Sequence, residues 1–313
     1  MGNNEGISLM AFWTNIALFR ALDRYYRGAP PPGFFYLAFV TDTPAPTAQT
    51  QTLSELTEIA AGNGYSSGGI PLTIAPFPTF IQEAAASSAE LKDIVVGAVG
   101  GPIPSSGSGA RYAVLTNDNA TIADREVYFV WDMASERVIA DGGTLVMSDA
   151  MLRFRQWSTP PSSPPFVTNR GLYLMLSHFL RNTPEPSQFY LALLNDNVVP
   201  TYQSNLLGDN DWEIEEGNGY VEGGIAIPRS IAGFSSVGLS QEGGYAAVTL
   251  ADVDFIASGG TIGPAYRCAL LTDEPTPANR NILAVWDFDG AYSVNSGETL
   301  RLRNLRIYAR QFS

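Results

Sequence analysis

The sequence predicts a mainly β protein built twice: two tandem copies of a β-sandwich-like domain, each preceded by one α-helix. Three observations carry this. The stretch Gly62-Asn63-Gly64-Tyr65-Ser66-Ser67-Gly68-Gly69-Ile70 returns as Gly217-Asn218-Gly219-Tyr220-Val221-Glu222-Gly223-Gly224-Ile225, with seven of nine positions identical at an offset of 155. Residues 13–42 and 167–196 share 12 of 30 identities without a gap. Short β-branched and aromatic runs follow at close intervals between Gly- and Pro-rich turns, the pattern of an all-β domain.

Residues 1–11 read as a lead-in arm. From Phe12 to Arg27 the spacing of Ile16, Phe19, Leu22 and Tyr26 predicts an amphipathic helix. Thr14 or Asn15 suits its cap, and Gly28 followed by Pro30 ends it. Phe34-Phe35-Tyr36-Leu37-Ala38-Phe39-Val40 reads as a buried strand ending at Thr41-Asp42-Thr43-Pro44. The second copy repeats this: a helix opened by Val167-Thr168-Asn169 and closed at Arg181, with Asn182 in the place of Gly28, then the strand Gln188–Leu194. Acidic connections follow, Leu53-Ser54-Glu55-Leu56-Thr57-Glu58-Ile59 in one copy and residues 209–216 in the other. Each enters the glycine turn. Gly and Asn tolerate positive φ, so Gly62, Asn63, Gly64 and Tyr65, like Gly217, Asn218, Gly219 and Tyr220, form a structural turn whose Tyr buries its ring and satisfies its hydroxyl.

Later strands are expected at 94–99, 112–115, 127–131 and 151–157, with counterparts at 246–250, 267–271, 282–286 and 302–309. Val130-Trp131-Asp132 matches Val285-Trp286-Asp287, Thr144-Leu145 matches Thr299-Leu300, and Arg155-Gln156 matches Arg310-Gln311. One helix per copy is expected to cover an edge or end of the sheets. The division is residues 1–157, a Pro/Ser-rich linker at 158–165, and residues 166–313. The linker, Ser158-Thr159-Pro160-Pro161-Ser162-Ser163-Pro164-Pro165, favours polyproline II. At about 3.1 Å per residue it spaces the copies by roughly 25 Å, or runs along one of them.

The 313 residues include 31 Asp and Glu against 18 Lys and Arg, a net charge of −13. That charge repels phosphate backbones and anionic headgroups, so neither nucleic acid nor a membrane is an expected partner. The apolar runs are shorter than a membrane span, and no secretory signal pattern is seen. The single cysteine, Cys268, sits in an apolar run and reads as a small buried hydrophobe, in keeping with synthesis in a reducing cytoplasm.

Nothing catalytic stands out. His178 is the only histidine, faces Arg24 in the alignment, and reads as a helix surface or boundary residue. A Ser-His-Asp triad has this one candidate base, and zinc has one Cys and one His to draw on. Asp132, Asp287, Asp42 and Asp196 are the carboxylates whose strand-end position repeats, but Asp after a strand commonly starts a turn by bonding its own backbone. The P-loop pattern is absent. Trp131, Trp157, Trp212 and Trp286 offer sugar-stacking platforms or core packing. No catalytic residue, cofactor or metal is expected.

The order Tyr36-Leu37-Ala38-Phe39-Val40-Thr41-Asp42-Thr43-Pro44, then Glu55-Leu56-Thr57-Glu58, then Gly62-Asn63-Gly64-Tyr65, resembles virion structural proteins of tailed bacteriophages. Among them it is most similar to capsid cement or decoration proteins of cyanophage type. The second copy departs from the pattern, with Asn195-Asp196-Asn197-Val198 and Asp211-Trp212-Glu213-Ile214 in the corresponding runs. The resemblance implies a non-enzymatic β protein on the capsid surface that binds the major capsid protein and bridges capsomers. A homo-oligomer, a trimer at local three-fold positions, fits that role. Two similar domains on one chain raise the effective concentration at a second site. The alternative is a tail or fibre component that binds a host-surface glycan or another tail protein.

Overall fold

The computed structural model describes residues 10–72, 77–83, 86–148, 150–155, 166–181, 183–240 and 245–310. The linker, the arm residues Ile7-Ser8-Leu9, Trp157, Asn182, Gln156 and Gln311 lie outside them.

The first copy runs β1 (Met10–Trp13), α1 (Asn15–Arg27), β2 (Phe35–Val40), β3 (Ile70–Leu72), β4 (Thr79–Glu83), β5 (Ala86–Glu90), β6 (Ile94–Gly97), β7 (Ala110–Thr116), β8 (Val127–Arg137), β9 (Thr144–Met147) and β10 (Met151–Arg155). The second runs β11 (Phe166–Val167), α2 (Asn169–Arg181), β12 (Gln188–Leu194), β13 (Ile225–Pro228), β14 (Phe234–Ser240), β15 (Tyr245–Leu250), β16 (Val253–Ile256), β17 (Ile262–Leu271), β18 (Ile282–Val294), β19 (Thr299–Leu302) and β20 (Arg306–Arg310). The fold is mainly β, as expected, and every ladder is antiparallel.

Each copy carries the same three sheets among its described residues. The five-stranded sheets are β1-β8-β7-β2-β3 and β11-β18-β17-β12-β13. The three-stranded sheets are β10-β5-β4 and β14-β15-β20, and the ribbons are β6-β9 and β16-β19. The five-stranded sheet is buried on both faces. Leu37, Phe39, Leu115 and Trp131 join the main core, while Ala38, Val40, Val114 and Val130 pack under Leu53 in a smaller cluster. Two buried faces explain why β2 reads as a continuous apolar run rather than an alternating one.

Three expectations change. Phe12 and Trp13 belong to β1, paired with Val130 and Phe129, so Met10 and Ala11 are edge-strand residues and not a loose arm. The helix starts after them because the Thr14 hydroxyl accepts from Ala17 N and donates to the Val127 carbonyl at 2.5 Å, capping and anchoring at once. Thr168 does the same with Gly171 N and the Ile282 carbonyl. The counterpart of β6 is β16, not 246–250: Ile94 pairs with Met147 as Val253 pairs with Leu302, 159 residues on. Extra residues before β16 break the 155 offset there. The stretch 302–309 likewise holds the end of β19, a break, and β20.

The third change concerns the helices. They are central, not at an edge or end. Helix α1 packs on β8 of its own copy and on β14 and β15 of the other, while α2 packs on β18 of its own copy and on β4 and β5 of the first. Phe179 of α2 thus lies 5.3 Å from the Tyr128 ring and 5.9 Å from Trp13, and Tyr26 of α1 lies 5.3 Å from Phe189 and 5.2 Å from Phe234. One core runs through both copies. Burying an aromatic ring contributes about 1.5–3 kcal/mol, so Phe179 and Tyr26 alone hold the copies together firmly.

Candidate functional site

The repeated glycine stretch is a two-residue hairpin loop followed by a second turn. Gly62 and Tyr65 exchange both backbone hydrogen bonds, at 2.8 and 3.0 Å, and Gly217 and Tyr220 do the same at 3.0 and 2.9 Å. Asn63 and Asn218 have φ of 56° and 54°, Gly64 and Gly219 of 106° and 95°. This is the Asn-Gly loop that the right-handed strand twist favours. The Asn side chains pin the loop to its neighbour: Asn63 Nδ2 donates to the Pro102 carbonyl at 2.7 Å, Asn218 Nδ2 to that of Thr261 at 2.9 Å.

Behind the loop lies a closed polar cluster. The Tyr65 hydroxyl donates to Glu58 Oε1 at 2.6 Å and accepts from Phe39 N at 3.0 Å, and Gly68 N donates to the same carboxylate oxygen at 2.7 Å. In the second copy Tyr220 donates to Glu213 at 2.5 Å, Leu193 N to Tyr220 at 3.1 Å and Gly223 N to Glu213 at 2.6 Å. Buried Arg125 donates to the Gly68 carbonyl at 2.6 Å and stacks 3.6 Å over Tyr36; Arg280 donates to Gly223 at 2.8 Å and stacks 3.4 Å over Tyr190. Burial, then the neighbouring carboxylate, pushes the Tyr65 and Tyr220 phenols well up, so both stay protonated donors. Burial also raises the Glu213 carboxyl, against the pull of Tyr220 and Gly223. Both tyrosines are buried and their hydroxyls spent inside the chain, so the cluster holds backbone in place. Glu58 and Glu213 read in the sequence as parts of acidic connections and Arg125 and Arg280 escaped notice, although each pair sits at the same 155 offset as the turn. Glu213-Ile214 therefore continues the first copy's Glu58-Ile59 role rather than replacing it.

The carboxylates considered for chemistry are tied up locally. Asp132 pairs with Arg111 at 3.0 Å and accepts from Ala134 N at 2.7 Å. Arg267 gathers Asp196 at 2.9 Å and Asp287 at 2.6 Å. Asp42 accepts from the Thr43 hydroxyl at 3.2 Å. Trp131, Trp212 and Trp286 are buried, so their faces serve packing and not stacking on a sugar. Cys268 is buried as expected, and burial raises its thiol.

His178 is a correction: it is 1% exposed, at the seam between the copies. Its Nδ1 lies 2.9 Å from the Thr183 carbonyl and its Nε2 2.7 Å from Glu185. Arg229 completes the group, pairing with Glu185 and donating to the Tyr25 and Arg24 carbonyls at 2.8 and 2.5 Å. It thereby satisfies carbonyls at the C-terminal end of α1. Burial lowers the His178 imidazole below its ordinary 6.5, against the opposing pull of Thr183 and Glu185.

A cleft of about 340 Å³ opens between the end of α1, Pro30–Pro32 and residues 117–126. Its wall is a chain of bonds: Arg20 to Glu126 at 2.6 Å, Tyr128 to Glu126 at 2.8 Å, and Arg24 to the Tyr128 hydroxyl at 2.7 Å. At the matching places the second copy has Leu174, Asn281, Leu283 and His178, so this chain of bonds was not duplicated with the fold. Comparison with protein-family models, with curated proteins and with solved structures returns no match to this chain.

Proposed function

We propose that this chain is a non-enzymatic virion structural protein: a cement or decoration protein that binds the outside of a phage capsid and bridges capsomers. The observation that carries the reading is the exchange of helices between the copies. It turns two copies of one fold into a single two-lobed block. A block of this kind presents related but unequal surfaces at a fixed separation, which suits a bridge between neighbouring shell subunits. The residues that repeat between copies are spent on holding backbone, at Glu58, Tyr65 and Arg125 and their partners, which leaves the outer surface for docking. The virion-protein resemblance of residues 36–65 points the same way.

The test is to add the purified chain to shells of a tailed phage stripped of outer proteins. Density at capsomer junctions in cryo-EM, with a raised shell-disruption temperature, is expected. Virions that carry a few copies at the tail alone would move the protein to the tail or fibre, with another tail protein or a glycan as partner.

A further inference from the structure

The cleft of about 340 Å³ beside α1 has the size of a small-molecule site but not the usual apolar lining. Some of its polar groups are spent on the fold. Glu126 takes Arg20 and Tyr128, and Asn117 bonds Glu126 and the Asn119 and Glu126 amides. Asp118 Oδ2 accepts from Gly33 N at 2.8 Å and Phe34 N at 3.1 Å. Other groups are left over. Asp124 is exposed, and its carboxylate has no partner among the described residues. Asp118 keeps Oδ1, and Asn119 keeps Nδ2, since its Oδ1 accepts from Thr121 N at 3.0 Å. Arg24 lines the same cleft, is 4% exposed, and has Nε and Nη1 without a partner. Free acceptors and free donors thus share one cleft.

The second copy supplies an internal control. It keeps the group that holds backbone: Asp273 stands in the place of Asp118 and accepts from Ser187 N at 2.6 Å. It drops the free ones. Asn279 stands where Asp124 does, and Glu274, in the place of Asn119, is bonded to Thr272 and to Asn281. The fold therefore does without a free carboxylate at the first position and a free amide at the second.

We infer that this cleft of the first copy is a binding site for a neutral saccharide. Charge narrows the ligand first. Asp118, Asp124 and Glu126 oppose an anion, while Arg20 and Arg24 oppose a cation. Among the described residues no group of His, Cys, Asp or Glu is placed to hold a metal ion. A nucleic-acid base needs an aromatic ring to stack on, and the cleft wall carries none. A sugar hydroxyl is donor and acceptor at once. Such hydroxyls can donate to Asp118 Oδ1 and Asp124 and accept from Asn119 Nδ2 and Arg24. The prolines Pro30–Pro32 line the apolar side of the cleft and suit the C–H face of a sugar ring.

The inference does not rest on the capsid reading, and its test uses no shells. The full chain is titrated with free hexoses, N-acetylhexosamines and their disaccharides up to about 10 mM, read by saturation-transfer NMR. A few hydroxyl bonds imply a Kd on the order of 1 mM. D124A and N119A are each expected to weaken binding about tenfold. Their melting temperatures should not change, because the second copy folds without either group. If D124A fails to fold, D124N takes its place, since the second copy carries Asn279 there. No sugar bound at the highest concentration, or binding undiminished in both variants, would overturn the inference. Displacement of the sugar by inorganic phosphate or by spermidine would also overturn it, because the cleft would then select charge. Sugar binding by a chain that leaves stripped shells bare would uphold the inference while the capsid reading fails.

Discussion

Tyr220 donates its hydroxyl to Glu213 at 2.5 Å, 155 residues on from the same bond between Tyr65 and Glu58 at 2.6 Å. The copies have diverged over most of their length but keep this bond, its backbone donors and its arginine. Replacing Tyr220 by Phe leaves the Leu193 amide and a carboxylate oxygen without the hydroxyl. The expected loss is about 1–3 kcal/mol, the cost of unsatisfied buried groups. Urea unfolding of Tyr220→Phe and Tyr65→Phe checks it; a loss below about 0.5 kcal/mol in both would show that the bond is dispensable.

The glycines of the loop differ in what they must avoid. A Cβ on Gly219 would lie 2.4 Å from the Ile256 carbonyl oxygen, whereas one on Gly217 meets nothing within 4 Å. Both have positive φ, 95° and 134°. Gly217→Ala should therefore cost only backbone strain, about 1–2 kcal/mol. Gly219→Ala adds a clash with backbone and should cost clearly more. Thermal melts of the two variants decide, and equal losses would contradict the geometry.

This contrast also marks what was readable in advance. Gly64 and Gly219 announced a turn because glycine and Asn are the residues that accept positive φ. The Phe35–Val40 run announced a strand because both its faces are buried. Thr14 and Gly28 bracketed α1 by capping chemistry alone. The partner of a helix face has no such local signature. Tyr26 reads as a core residue, yet nothing near it in sequence says that its core includes Phe234, more than 200 residues away. His178 misled for the same reason: Glu185 is near in sequence, but Arg229 and the end of α1 bury it from elsewhere in the fold. Strand β16 was misaligned because its loop changed length, which identity at a fixed offset does not follow.

His178 gives the fold a pH dependence of known sign. Burial holds its folded pKa below the ordinary 6.5, despite Thr183 and Glu185, and Arg229 and Arg24 add to the lowering. The unfolded chain therefore takes up a proton, as pH falls through about 6.5, before the folded chain does. Stability from this group is complete above that pH and is lost as the pH falls towards the lowered folded value. The slope is at most about 1.4 kcal/mol per pH unit for one proton. His178→Asn, which can still donate to the Thr183 carbonyl, should remove that share. Urea midpoints of both proteins at about pH 7.5 and 5.5 should converge at the lower pH; a constant gap would assign the slope to other groups.

Because α1 packs on the second copy's β14 and β15 and α2 on the first copy's β4 and β5, neither half contains the whole of the main core, and each keeps to itself only a smaller cluster, under Leu53 in one and Leu207 in the other. Residues 1–157 alone would expose Tyr26 and the faces of β4 and β5 that α2 covers; residues 158–313 alone would expose Phe179 and the β14-β15 sheet. Arg229 would also lose the Tyr25 and Arg24 carbonyls, and Arg181 those of Phe77 and Pro78. Each half expressed by itself is expected to show no cooperative melt and to bind a hydrophobic dye. The two halves expressed together should assemble and melt in one transition, because the seam is a core rather than a surface contact. A sharp melt from either half alone would mean that each copy can fold as a domain, with the helix exchange added afterwards.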